Sequence, residues 1–133
     1  MYPHTETELQ NNCTASLTVD LSVLTNFDEA QSDGEPDLIV ELIDLYLEEA
    51  SKLLAGMREA IAKKDELSIK QAAHSLRGSS GNLGILQMAV MCREVEQMKS
   101  DNIFPIEVLV NKMDQELVHV RQILLEERQR RSL

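Results

Sequence analysis

The chain has 133 residues, enough for one domain and too few for two ordinary ones. Apolar residues make up 43% but aromatics only 3%, with no tryptophan, so a core must be assembled from Leu, Ile, Val, Met and Ala, a set suited to helix packing. A formal net charge of -10 sets the chain against phosphate backbones and excludes nucleic-acid binding as its main role.

Residues 1–17 are polar and aperiodic and predict a flexible tail ahead of a domain over 18–130. The first residues, MYPHTETELQNN, lack the basic start and apolar centre of a signal peptide, and no run is apolar enough to span a membrane. The two cysteines, Cys13 and Cys92, have neither zinc nor disulfide-framework spacing, so a reducing cytoplasm is expected. Asp20 or Thr18 can cap a short helix over about 20–30 that carries Leu21, Val23, Leu24 and Phe27. Gln31 to Pro36 reads as a turn, and Pro36 suits the first turn of a long helix reaching about Lys64. Ile39, Leu42, Ile43, Tyr46, Ala50, Leu53, Met57 and Ile61 form its apolar stripe.

Asp65 can cap a third helix, with Ile69, Ala72, Ala73, Leu76 and Leu83 on one face and a stop or bend near Gly81 and Gly84. A fourth helix is expected from about Ile85 to Lys99, and Pro105 can open a fifth after a break at 101–105. The fifth carries Leu109, Met113, Leu117, Val120 and Leu124, and ends in a basic tip of Arg128, Arg130 and Arg131 that suits the negative end of a helix dipole. No segment alternates as a strand would. The expected fold is all-α: an antiparallel up-down four-helix bundle with a short additional N-terminal helix over one end.

One stretch does not read as plain structure. With 100° per residue and Ile69 at zero, Ala72, Ala73, Leu76, Ser80 and Leu83 fall within about 60° of the buried direction. His74 falls near 140°, outside the stripe, with Lys70, Arg77, Gly78 and Gly81 at about 100°, 80°, 180° and 120°. Each glycine costs a helix interior about 1 kcal/mol relative to alanine. Two of them beside an exposed imidazole clear room for another protein, and the cations favour an anion on the ring. A neutral imidazole with a free lone pair is a suitable phosphoryl carrier near pH 7.

The run His74-Ser75-Leu76-Arg77-Gly78-Ser79, with Gly84 following, resembles the signature of histidine-containing phosphotransfer (HPt) domains, and the resemblance extends over about 20–125. It implies that His74 accepts the phosphoryl group. Arg77, where lysine is commoner, would neutralise that group. Glu96, on the fourth helix, would reach the ring nitrogen that is not phosphorylated. It implies a docking face that includes Lys70, Gln71, Gly78, Ser79 and Gly81, with Leu24 and Phe27 of the first helix contributing apolar surface. The implied partners are receiver domains of response regulators, one presenting a phosphorylated aspartate with its Mg²⁺ and another offering an acceptor aspartate, and a hybrid sensor histidine kinase. The chain itself would be a monomeric carrier with no cofactor and, lacking a Gly-rich phosphate loop, no ATP chemistry of its own.

Other readings have less support. A non-catalytic adaptor would not need the histidine. A metal-binding or oxidoreductase bundle would need clustered inward ligands, and Glu116-x-x-His119 is a single pair beside the last helix's stripe. His4 has no identifiable partner in the tail. Met88, Met91, Met98 and Met113 read as core or edge packing.

Overall fold

The computed structural model describes residues 18–28, 37–99 and 103–132. They form α1 (Leu21–Asp28), α2 (Leu38–Ala62), α3 (Glu66–Asn82), α4 (Leu86–Gln97) and α5 (Phe104–Ser132), with no strand among the described residues. Each long helix packs on its neighbour in sequence, and α5 closes the ring against α2, giving the expected up-down bundle; α1 packs on α2. The expected tail over 1–17, the turn at 31–36 and Cys13 lie outside the described residues.

The helix starts follow side-chain capping. Asp20 caps α1, accepting from Ser22 N at 3.1 Å and Ser22 Oγ at 2.6 Å. Asp37 opens α2 by accepting from Ile39 N at 2.9 Å, so the helix begins after this cap and not at Pro36 as expected. Asp65 caps α3 through Ser68 N at 3.1 Å, as its spacing predicts, and these bonds hold its carboxyl below the usual range. Phe104 precedes Pro105 in α5, since Glu107 N already bonds Ile103 O at 3.0 Å. A proline one position further in is tolerated because first-turn amides have no helical partner.

Two turns share one design. In each, a six-to-one bond closes the preceding helix: Asp65 N to Ala60 O at 2.9 Å, and Ile85 N to Ser80 O at 2.8 Å. The residue before each donor is left-handed, Lys64 at φ 56° and Gly84 at φ 75°. Gly84 is irreplaceable on a second ground. A Cβ there would lie 2.7 Å from Asp20 O and 2.9 Å from Val23 Cβ, and its carbonyl accepts from Asp20 N at 2.7 Å. The turn between α3 and α4 is thereby welded to the start of α1.

The core is aliphatic, running from Ile39 and Ile43 through Met57, Ile69, Leu76, Met88 and Met113 to Leu124. The α5 stripe is buried as expected. The α2 stripe is rotated: Leu47, Leu54 and Ala60 are buried, while Leu42, Leu53 and Ile61 sit at its edge. Buried polar groups are few. Tyr46 Oη and Ser80 Oγ share a 2.8 Å hydrogen bond in the interior, and burial pushes the Tyr46 phenol far up. At the far end Arg128 pairs with Asp44 at 2.9 Å and Arg131 with Asp37 at 3.5 Å, so the basic tip ties α5 to α2.

Glu116 is the exception in the core. It is 9% exposed, its Oε2 has no hydrogen-bond partner among the described groups, and desolvation raises its pKa against the pull of His119, 3.9 Å away, and of a hydrogen bond with the Thr18 side chain. In the unfolded chain the carboxyl ionises at its ordinary value; in the fold it resists. Below the ordinary carboxylate range both states hold the proton and nothing is lost. As pH rises towards the folded value the native state loses stability, and the deficit is complete above it. Glu116→Gln should therefore raise Tm by a few degrees at pH 7, with the gain shrinking towards pH 4, in paired calorimetric scans. Gly84→Ala should lower stability by about 1–3 kcal/mol in urea titrations, through left-handed strain and the clash with α1.

Candidate functional site

His74 stands in the middle of α3 with its side chain 72% exposed, off the buried face of Ile69, Ala73, Leu76 and Ser80 as the helical spacing predicts. The Gly84 turn folds α4 back along α3, which brings Glu96 opposite it. Glu96 Oε1 lies 3.1 Å from His74 Nδ1, and the Glu96 carboxylate lies 3.1–3.2 Å from Arg77 Nε. Glu96 is 19% exposed, so its carboxylate is largely shielded from water and matched by the guanidinium. It turns to α3 for these partners and not to Arg93 on its own helix.

Arg77 Nη2 also lies 3.2 Å from His74 Nδ1. A guanidinium can only donate and a carboxylate can only accept, so the two cannot both bond one tautomer at Nδ1. The ionised carboxylate is the better partner for an N–H, which puts the proton on Nδ1 and leaves the Arg77 approach a close contact. No described group bonds Nε2. The nucleophilic lone pair is then on Nε2, on the open side of the ring.

Two grooves flank the ring. One, of about 450 Å³, is lined by His74, Arg77, Gly78, Gly81, Asn82, Ala89, Val90 and Arg93. Among the described residues a Cβ added at Gly78 or Gly81 would meet nothing within 4 Å, so no packing there demands either glycine. The other groove is lined by Lys70, Gln71, His74, Ser75 and Glu96, with Lys70 held by Glu66 at 2.8 Å. Beneath the site, Cys92 is fully buried. Burial pushes its thiol up to about 12, with the Glu96 charge adding and the Arg77 charge opposing.

The structure thus gathers His74, Arg77, Glu96, Lys70, Gln71, Gly78 and Gly81 on one face. Ser79 and Leu24 depart from expectation. Ser79 points to α2, where its Oγ donates to Glu49 Oε1 at 3.1 Å; at about 280° on the helical wheel it cannot share the face of His74. Leu24 is 1% exposed and belongs to the core, because the Gly84 turn draws α1 inward; it offers no docking surface. The Phe27 side chain lies outside the described residues. The sequence reading missed Arg93 as part of this face, although its place one turn before Glu96 on α4 was the available signal. Among the described residues no group of three or more metal-ligating side chains occurs.

The site is an exposed imidazole oriented by a carboxylate on a helical bundle. The Hpt domain family model matches residues 41–129, and the chain belongs to that family. It is 30% identical over 71 residues to histidine-containing phosphotransfer protein 2 of Arabidopsis thaliana, covering 51% of this chain and 46% of that protein. It is 28% identical over 82 residues to multistep phosphorelay regulator 1 of Schizosaccharomyces pombe, covering 62% of this chain and 28% of that protein. The matched region therefore spans less than half the length of these relatives. The crystal structure of histidine-containing phosphotransfer protein B from Pseudomonas aeruginosa PAO1 superposes with a TM-score of 0.75 at 26% identity, covering 85% of this chain and 96% of that one.

Removing the Glu96 carboxylate should redistribute the imidazole proton. In Glu96→Ala, the long-range ¹H–¹⁵N spectrum of His74 should move from the Nδ1–H pattern towards the Nε2–H tautomer that free histidine prefers; Glu96→Gln, which still accepts through its amide oxygen, should shift it less.

Proposed function

We propose that this protein is a phosphorelay intermediate that takes a phosphoryl group on His74 Nε2 from a phospho-aspartate and passes it to another aspartate. The observation that carries this reading is the Glu96 carboxylate at Nδ1, which leaves Nε2 without a described partner on an exposed ring beside a groove lined by Gly78 and Gly81. The Nε2 lone pair attacks phosphorus, the N–P bond forms, and the P–O bond to the donor carboxylate breaks. The proton stays on Nδ1 throughout, so the ring becomes cationic and the Glu96 carboxylate, already in place, balances it. In the return step an acceptor carboxylate attacks phosphorus and the ring departs neutral. No proton needs to move in either direction.

The donor and acceptor in this reading are receiver domains of response regulators, one of them on a hybrid sensor kinase, and the Mg²⁺ that transfer uses belongs to them. Gly78 and Gly81 leave the space in which such a domain can bring its aspartate to the ring. The protein acts as a monomer in the cytoplasm; no helix among the described residues is long and apolar enough to cross a membrane.

Incubation with a panel of phosphorylated receiver domains should give an acid-labile, alkali-stable label on the wild type and none on His74→Gln. Binding without label, while a known carrier is labelled in the same assay, would mean an adaptor. Gly78→Ala should keep the fold, gaining about 1 kcal/mol of helix stability, yet slow transfer from a receiver by about tenfold, because a methyl group now stands in the partner's path.

A further inference from the structure

The site's expected cation is already engaged by a carboxylate. Arg77 is held at the Nδ1 edge of the ring with its Nε on Glu96, and that carboxylate neutralises it. Lys70 is neutralised by Glu66. Of the cations lining the two grooves at His74, Arg93 alone makes no ion pair with any described residue. It is exposed, stands on α4 one turn before Glu96, and lines the same glycine-floored groove as His74. In a chain of net charge -10, a guanidinium that has no ion pair among the described residues and lines one groove with His74 is a local reversal of sign.

We propose that Arg93 is the phosphoryl-binding cation of this site: it donates to the equatorial oxygens of the group as it arrives at Nε2 and holds them in phospho-His74. The assignment rests on the phosphotransfer reading and divides the labour differently from what the sequence implied. Arg77 and Glu96 orient the ring, and Arg93 meets the charge. A guanidinium suits the task because its fork of donors matches two phosphoryl oxygens at once and it stays charged at every working pH.

Phosphoramidate, a small donor that transfers its phosphoryl group with departure of ammonia, tests this without a partner protein, with His74→Gln as blank. Arg93→Gln should be labelled about 3–30-fold more slowly than wild type, from both phosphoramidate and a phosphorylated receiver, with Arg93→Lys recovering part of the loss. The second ionisation of phospho-His74, followed by ³¹P NMR, should move to higher pH in Arg93→Gln, which a merely structural residue would not cause. Equal rates and an unchanged ionisation would overturn the proposal and leave Arg93 a solvated surface cation. Slower transfer from the receiver alone would overturn it too, placing Arg93 in the partner contact. A wild type labelled by neither donor would sink the phosphotransfer reading itself, and this assignment with it.

Discussion

The way α3 meets α4 is set by two consecutive residues. Gly84 takes a left-handed conformation, Ile85 closes the helix behind it, and the Gly84 carbonyl receives the amide of Asp20, the cap of α1. This turn fixes how far α4 has travelled back along α3 when it reaches Glu96. A displacement of one residue would rotate that carboxylate by about 100° and carry it off the face of His74. The 3.1 Å contact at Nδ1 therefore depends on backbone geometry twelve residues away, and the same geometry buries Leu24.

The site works by engaging one edge of a ring and leaving the other open. A histidine with both nitrogens free would exchange tautomers and present its lone pair in the productive place only part of the time. Glu96 is shielded and charge-matched, so its position is well defined, and it is stiffened from below by Cys92 and the core of α4. The two glycines act by subtraction. No described residue occupies the space they leave.

Helix number, type and order were legible in the sequence because amphipathic periodicity and Asp caps act locally. Asp65 and the α5 stripe are clear cases. His74 stood out for the same reason, its angle and its neighbours all lying within one helix. Boundaries were less legible where two signals competed, as at Asp37 and Pro36, or at Phe104 and Pro105. The α2 stripe was misjudged by part of a turn because Leu42, Leu47, Leu53 and Leu54 are equally apolar, and only the packing of α3 and α5 decides between them. Ser79 and Leu24 were placed on the docking face by resemblance, although the wheel that placed His74 already put Ser79 on the far side. Arg93 carried one local signal, its place one turn before Glu96, but its position at the groove of His74 needed the register between two helices, which no single segment encodes. The pairing of Arg77 with Glu96 needed it too.

The second half of α3 reads Ser75, Gly78, Ser79, Ser80, Gly81 and Asn82, residues that disfavour helix on their own. As an isolated peptide this stretch would be coil. Its helicity is lent by Leu76, Ser80 and Leu83 locking into the other helices. The oriented imidazole thus does not exist ahead of the bundle. A nascent or partly unfolded chain carries the same His74 but neither its aligned ring nor the carboxylate beside it, so the arrangement around the imidazole and the completion of tertiary structure arrive together.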